Sequence, residues 1–82
     1  MNKEFNHLIS MLKEKLNKKI RLLESKVDFN AYTQGKINNV NGRIKALEES
    51  ASDIIQNYPD IPEMKINFRK RANDIHKEIE NL

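Results

Sequence analysis

The sequence predicts an all-α fold, a three-helix antiparallel bundle with coiled-coil-like packing. Apolar residues recur every three or four positions along three long segments, which is the spacing of one helix face. Only two glycines and two prolines occur among 82 residues, whereas an all-β domain of this size would need many more turn residues. Cysteine is absent, so neither a disulfide framework nor a thiolate metal site can form. We therefore expect residues 1–82 to fold as one small domain by helix packing alone.

The first predicted helix covers residues 4–27. Its main apolar residues follow one another at steps of 4, 3, 4, 4, 3 and 4: Phe5, Ile9, Leu12, Leu16, Ile20, Leu23 and Val27. Three further residues widen this stripe: Leu8, Met11 and Leu22. The pattern indicates an amphipathic helix. It resets at Asp28, and because Asp28 and Asn30 are both good N-cap residues, we expect a turn near residues 27–30.

The second predicted helix covers residues 30–58 and carries a heptad seam. The seam residues follow one another at steps of 3, 4, 3, 4, 3 and 4: Ile37, Val40, Ile44, Leu47, Ala51, Ile54 and Tyr58. This spacing is typical of knobs-into-holes packing. Gly35 and the pair Asn41-Gly42 weaken the helix and allow a break there. We expect one continuous helix, because the heptad phase passes through Gly42 unchanged.

The third predicted helix covers residues 61–82. Pro59 disfavours helical geometry at the residue before it and so ends the second helix. Asp60, with Glu63 three residues later, predicts a capping-box-like start, and Pro62 is tolerated in the first turn. The apolar stripe then continues to the last residue: Ile61, Met64 or Lys65, Phe68, Ala72, Ile75, Ile79 and Leu82.

Short turns between the helices make them antiparallel neighbours, and three apolar stripes that face one axis form a closed bundle. The alternative is a long helical hairpin that dimerises into a helical bundle, with the third helix packed elsewhere or in trans. The sequence leaves the oligomeric state open.

The residues available for catalysis are few, and we expect a protein that is not an enzyme and has no cofactor or metal. His7 and His76 are the only histidines and lie on different predicted helices. His76 with Glu80 and Asp74 with Glu78 are i, i+4 pairs, but no second helix carries a matching pair that would complete a metal site. No glycine-rich phosphate loop is present.

Basic residues are unevenly distributed in a chain whose net charge is +3. Residues 1–27 hold seven Lys and Arg against three Glu. The first cluster shares about a quarter of the circumference of the first helix with Leu22: Lys15, Lys18, Lys19 and Lys26. The second cluster is on the third helix: Lys65, Arg69, Lys70 and Arg71. Such faces bind phosphates or an acidic protein in some proteins and are simply solvated in most.

A ridge of small residues forms a second face of the second helix, about 140° from its apolar seam. Its members are Ala31, Gly35, Asn39, Gly42, Ala46 and Ser50. Two exposed glycines in a helix cost about 2 kcal/mol relative to alanine. One hypothesis is that the ridge allows close approach of another helix, from this chain, a second copy or a foreign protein. The other is that the glycines mark fraying or a break.

The leading functional hypothesis is a small, non-enzymatic protein-interaction module that binds and modulates or inhibits a bacterial protein. A composition rich in Asn, Lys and Ile is typical of AT-rich bacterial genomes and their phages, and favours a phage or mobile element as its source. One alternative is a nucleic-acid-binding accessory protein that uses the basic faces. Another is a self-assembling structural or scaffolding component, a homo-oligomer. No signal segment or apolar run of membrane-spanning length is visible, so we expect a cytoplasmic protein without membrane contact.

Overall fold

A computed structural model describes residues 3–82 and confirms the all-α, three-helix bundle. Helix α1 is Lys3–Glu24, α2 is Ala31–Asn57 and α3 is Pro62–Glu80. The described residues contain no strand. The molecule is elongated, with principal extents of 48 × 19 × 16 Å.

The helices run up, down and up, so that α2 is antiparallel to both of its neighbours and α1 is parallel to α3. Salt bridges between helices are consistent with this register. Lys13 pairs with Glu48 between α1 and α2, and Arg43 with Glu78 between α2 and α3. All three pairs of helices are in contact. Because α3 packs against both other helices within the chain, the closed bundle is formed rather than the open hairpin.

The core runs along the bundle axis and is built from the three predicted stripes. Its buried members are Phe5, Ile9, Leu12, Leu16, Val40, Ile44, Leu47, Ala51, Ile54, Phe68, Ala72, Ile75 and Ile79. Phe5 of α1 stacks on Phe68 of α3, with ring centroids 4.1 Å apart. The described part of the chain buries no polar or charged residue. Apolar packing therefore holds the three helices together, as the spacing predicted.

The turn between α1 and α2 is longer than predicted. Helix α1 ends at Glu24 rather than residue 27, and the Ser25 hydroxyl donates to the Leu22 carbonyl at 2.7 Å. Val27 was predicted to continue the apolar stripe, but it is fully exposed in the turn. Asn30, not Asp28, is the N-cap of α2, and its side chain accepts the Thr33 amide at 3.1 Å. This cap sets where α2 begins.

Helix α2 passes through Gly42 without a break, as predicted from the heptad phase. Its buried seam extends from Ile37 to Ile54. The last predicted member, Tyr58, lies outside the helix as its C-cap and is partly exposed. Pro59 accounts for this, because the residue before a proline is displaced from helical geometry.

The predicted capping box at the start of α3 is wrong. The N-cap is Ile61, which is partly exposed and makes no side-chain capping bond, and Pro62 occupies the first helical position. Asp60 therefore lies one residue too early, and Glu63 falls at the second helical position instead of the third. Proline is favoured at the first helical position and determines this start. The helix ends at Glu80.

Candidate functional site

Helices α1 and α3 lie side by side and leave a surface groove between them, the α1–α3 groove. A hollow of about 370 Å³ lies between the first half of α1 and the middle of α3. Its apolar lining comes from Leu8, Met11, Leu12 and Ala72. A second hollow, of about 280 Å³, lies near the carboxyl ends of both helices and is lined in part by Leu22 and Ile79. The groove thus has an apolar lining along most of its length.

The side chains on the α1 wall of this groove follow a second heptad seam. The residues at steps of 4, 3, 4, 3 and 4 are Glu4, Leu8, Met11, Lys15, Lys18 and Leu22, and all line one of the two hollows. Met11 and Leu22 are 41% and 62% exposed. Helix α1 therefore presents one seam to the core and a second, partly apolar seam to the groove.

Three lysines of α1 line one wall of the second hollow. They are Lys15, Lys18 and Lys19, which the sequence placed on one face of the first helix together with Leu22, and Leu22 lines the same hollow. Lys18 pairs only loosely with Glu14 of its own helix, at 3.4 Å, and both side chains are about 70% exposed. Lys19 Nζ lies 3.5 Å from the backbone carbonyl of Glu80. The charges of Lys18 and Lys19 are therefore not neutralised by an acid across the groove.

Lys15 is held by a cluster at the middle of the groove. Its Nζ donates to Glu80 Oε1 at 2.9 Å and lies 2.8 Å from His76 Nε2. His76 Nε2 is also 3.0 Å from Glu80 Oε1. The hydrogen bond from Lys15, its charge and then the charge of His76 lower the pKa of Glu80 below its ordinary value of 4.5. Glu80 is thus stabilised as a carboxylate that is already partnered.

A bidentate ion pair crosses the other end of the groove. Arg69 Nε and Nη2 donate to the two carboxylate oxygens of Glu4, the latter at 2.9 Å. These bonds lower the pKa of Glu4, and the charge of Lys65 adds to the effect. The same bonds raise the pKa of Arg69. Lys65 and Arg69 therefore add positive charge to the groove at the amino-terminal end of α1, where Glu4 faces both of them.

The two predicted basic clusters are regrouped by the fold. Lys65 and Arg69 join the α1 lysines on the α1–α3 side of the bundle. Arg71 lies on the opposite side of α3, where its guanidinium donates to Ser50 of α2 at 2.9 Å. Lys70 is exposed and points away from the core. Lys26 was predicted on the α1 face, but it falls in the turn after the helix has ended.

The ridge of small residues on α2 contacts α3 at its carboxyl end, where Ser50 accepts the hydrogen bond from Arg71. Ala31, Gly35, Asn39, Gly42 and Ala46 are exposed, and Ser50 is half-buried. A Cβ built at Gly35 or Gly42 would meet no atom within 4 Å. No other helix of this chain therefore approaches the two glycines, and the hypothesis of a break is wrong.

The remaining features do not form a comparable site. The hollow between α1 and α2, about 420 Å³, is lined by the buried Ile9 and by polar residues that include Asn6, Ser10, Ser52 and the Lys13–Glu48 pair, and no large apolar side chain is exposed in it. Residues 3–82 contain no group of three or more His, Asp or Glu side chains that could hold a metal ion. None of the described helices is both long and apolar enough to cross a membrane.

No protein-family model, curated protein or solved structure matches this chain. The function must therefore be inferred from its own residues.

Proposed function

We propose that this chain is a small, non-enzymatic protein-interaction module that binds and modulates or inhibits a bacterial protein. In this proposal it is encoded by a phage or mobile element and acts in the cytoplasm. The observation that carries the proposal is the α1–α3 groove, where Met11 and Leu22 remain exposed beside Lys15, Lys18 and Lys19. Protein-binding surfaces commonly combine an apolar centre with a polar rim.

The composition of the core supports this choice of site. The core is closed by apolar residues from all three helices, so Met11 and Leu22 are not needed to complete it. Methionine also adapts its shape to different apolar partners. Met11 and Leu22 line the two hollows of one groove, whereas other exposed apolar residues, such as Tyr32 and Ile66, line none of the hollows described above. Apolar residues that share a groove with polar residues around them are typical of interaction sites.

Nucleic-acid binding is the second candidate, and the cluster of Lys15, Lys18 and Lys19 favours it. Lysines that neutralise phosphates need no apolar neighbours, and such binding falls steeply with added salt. The exposed apolar residues of the groove have no role in phosphate contact, which makes this candidate the weaker one.

A pull-down with the tagged full chain from bacterial lysate, with and without nuclease, tests the proposal. We expect a stoichiometric protein that is retained after nuclease treatment. Recovery of nucleic acid, or of proteins lost on nuclease treatment, would favour the second candidate. Sedimentation of the purified chain provides the control for self-assembly, because recovery of the chain alone as a concentration-dependent oligomer would instead support a scaffolding role.

A further inference from the structure

We propose that the α1–α3 groove binds an acidic amphipathic helix of the partner protein, which would lie along the groove as a fourth helix of the bundle. This inference depends on the proposed function, because it specifies the surface and the chemistry of the partner segment. Three features of the groove support it: its periodicity, its length and its charge.

The periodicity of the α1 wall suits a helix. Helices that pack side by side in a left-handed bundle bury residues spaced at alternating steps of three and four. Leu8, Met11, Lys15, Lys18 and Leu22 have this spacing and line the groove. An extended strand or a compact loop would not match a seam that repeats every seven residues.

The length of the groove also suits a helix. The 18 residue-to-residue steps from Glu4 to Leu22 span about 27 Å at about 1.5 Å per step. A partner helix of about five turns would cover both hollows. Its apolar residues would contact Leu8 and Met11 in the first hollow and Leu22 in the second, which is the arrangement of anchors found when a helix binds in a groove.

Charge restricts the class of partner helix. Lys15, Lys18 and Lys19 line the second hollow, and Glu80, the acid among them, is already engaged by Lys15. A carboxylate on the partner would meet Lys18 and Lys19 without displacing a strong ion pair, since the Glu14–Lys18 contact is exposed and long. A basic helix would be repelled at the same place. The groove therefore favours a partner helix whose apolar seam is flanked by Asp and Glu.

Photo-cross-linking from defined positions tests this inference. The full chain is prepared with p-benzoylphenylalanine in place of Met11 or of Leu22, both exposed, so that neither change disturbs the core. Matched controls carry the same group at Asn38 of α2 or Lys70 of α3, which are also exposed but lie away from the groove. Each variant is irradiated in nuclease-treated bacterial lysate, and the cross-linked peptides are identified by mass spectrometry.

We expect protein adducts from the Met11 and Leu22 variants. The adduct yield from the two control variants should be lower by at least about tenfold. The cross-linked peptide should carry net negative charge and apolar residues at helical spacing. A protein adduct that forms mainly from the control positions, or with a basic or strand-patterned segment, would overturn the inference and leave the proposed function intact. If no protein is cross-linked from any position and the pull-down is also empty, the proposed function fails, and this inference fails with it.

Discussion

Leu47 and Ile79 are completely buried between the helices, whereas Leu22 is a large apolar residue that the core leaves exposed. Truncation of a buried leucine removes its packing and leaves a cavity, which costs about 2–5 kcal/mol. We therefore predict that Leu47→Ala lowers the free energy of unfolding by that amount in urea denaturation. The matched Leu22→Ala change should alter it by less than about 0.5 kcal/mol. Equal losses in the two variants would contradict the assignment of Leu22 to the groove.

The two glycines of α2 give a prediction of opposite sign. Both lie in regular helix, and a Cβ at either position would meet no atom within 4 Å. Alanine is favoured over glycine in a helix by about 1 kcal/mol. We predict that Gly42→Ala raises the free energy of unfolding by about 1 kcal/mol, measured by urea denaturation. A decrease would mean that α2 is broken or closely packed at Gly42.

The ion pairs of Glu4 and Glu80 make the stability of the fold depend on pH in the acidic range. The pKa of each carboxyl is lowered in the folded chain, by Arg69 and by Lys15 respectively. Each group therefore stabilises the fold above its ordinary pKa of 4.5, and this contribution is lost as pH falls through the lower, folded-state value. We predict that thermal unfolding shifts to lower temperature below about pH 5, and that the Glu4→Gln, Glu80→Gln double variant shows a smaller shift. An unchanged acid dependence in the double variant would show that these pairs do not contribute.

At the scale of the helices, the two halves of α2 differ in composition. The first half contains Gly35, Gly42 and several asparagines, all poor helix formers, and it supplies Val40 alone to the main core cluster, since its buried Ile37 lies outside that cluster. The second half, residues 44–57, supplies Ile44, Leu47, Ala51 and Ile54 to that cluster. We predict faster amide hydrogen exchange in residues 31–40 than in residues 44–54. Uniform protection along α2 would contradict this difference.

The existence of the three helices could be predicted from sequence, but their ends could not. Periodicity reports which residues face a core, and the three predicted stripes contain every buried residue of the described chain. The end of a helix depends on small free-energy differences between competing cap residues. Helix α2 begins after Asn30 rather than Asp28, and α3 begins after Ile61, with Pro62 in its first position, rather than after Asp60. Val27 continued the apolar spacing by chance, because the helix had already ended at Glu24.

The groove could be predicted only in part. The lysines of α1 and the apolar residues Leu8, Met11 and Leu22 are visible in the sequence, and the heptad steps that link them would have identified a second seam. The sequence assigned these apolar residues to a wider core stripe instead. The pairing of Glu4 with Arg69 and of Lys15 with Glu80 joins residues 65 apart. That register follows from packing and cannot be obtained from local spacing.

At the scale of the whole molecule, an up-down-up bundle places α1 parallel to α3, with Glu4 opposite Arg69 and Lys15 opposite Glu80. Their adjacent surfaces form one groove, to which each contributes basic residues. The acidic residues Glu48 and Glu49 of α2 lie on the other side of α1, where they line the hollow between α1 and α2 together with Lys13, the partner of Glu48. The bundle therefore separates its basic, partly apolar side from its more acidic side, and this asymmetry is what an acidic partner would recognise.

The most direct test of the central claim is the affinity of charge-reversal variants for the protein recovered in the pull-down, measured by isothermal titration calorimetry. The Lys18→Glu, Lys19→Glu double variant changes the groove, and the Lys45→Glu, Lys70→Glu double variant makes the same change in net charge at exposed positions outside it. We predict a loss of at least about tenfold in affinity for the first variant and less than about twofold for the second. Equal effects of the two variants, or a larger effect of the second, would contradict the assignment of the α1–α3 groove as the binding site.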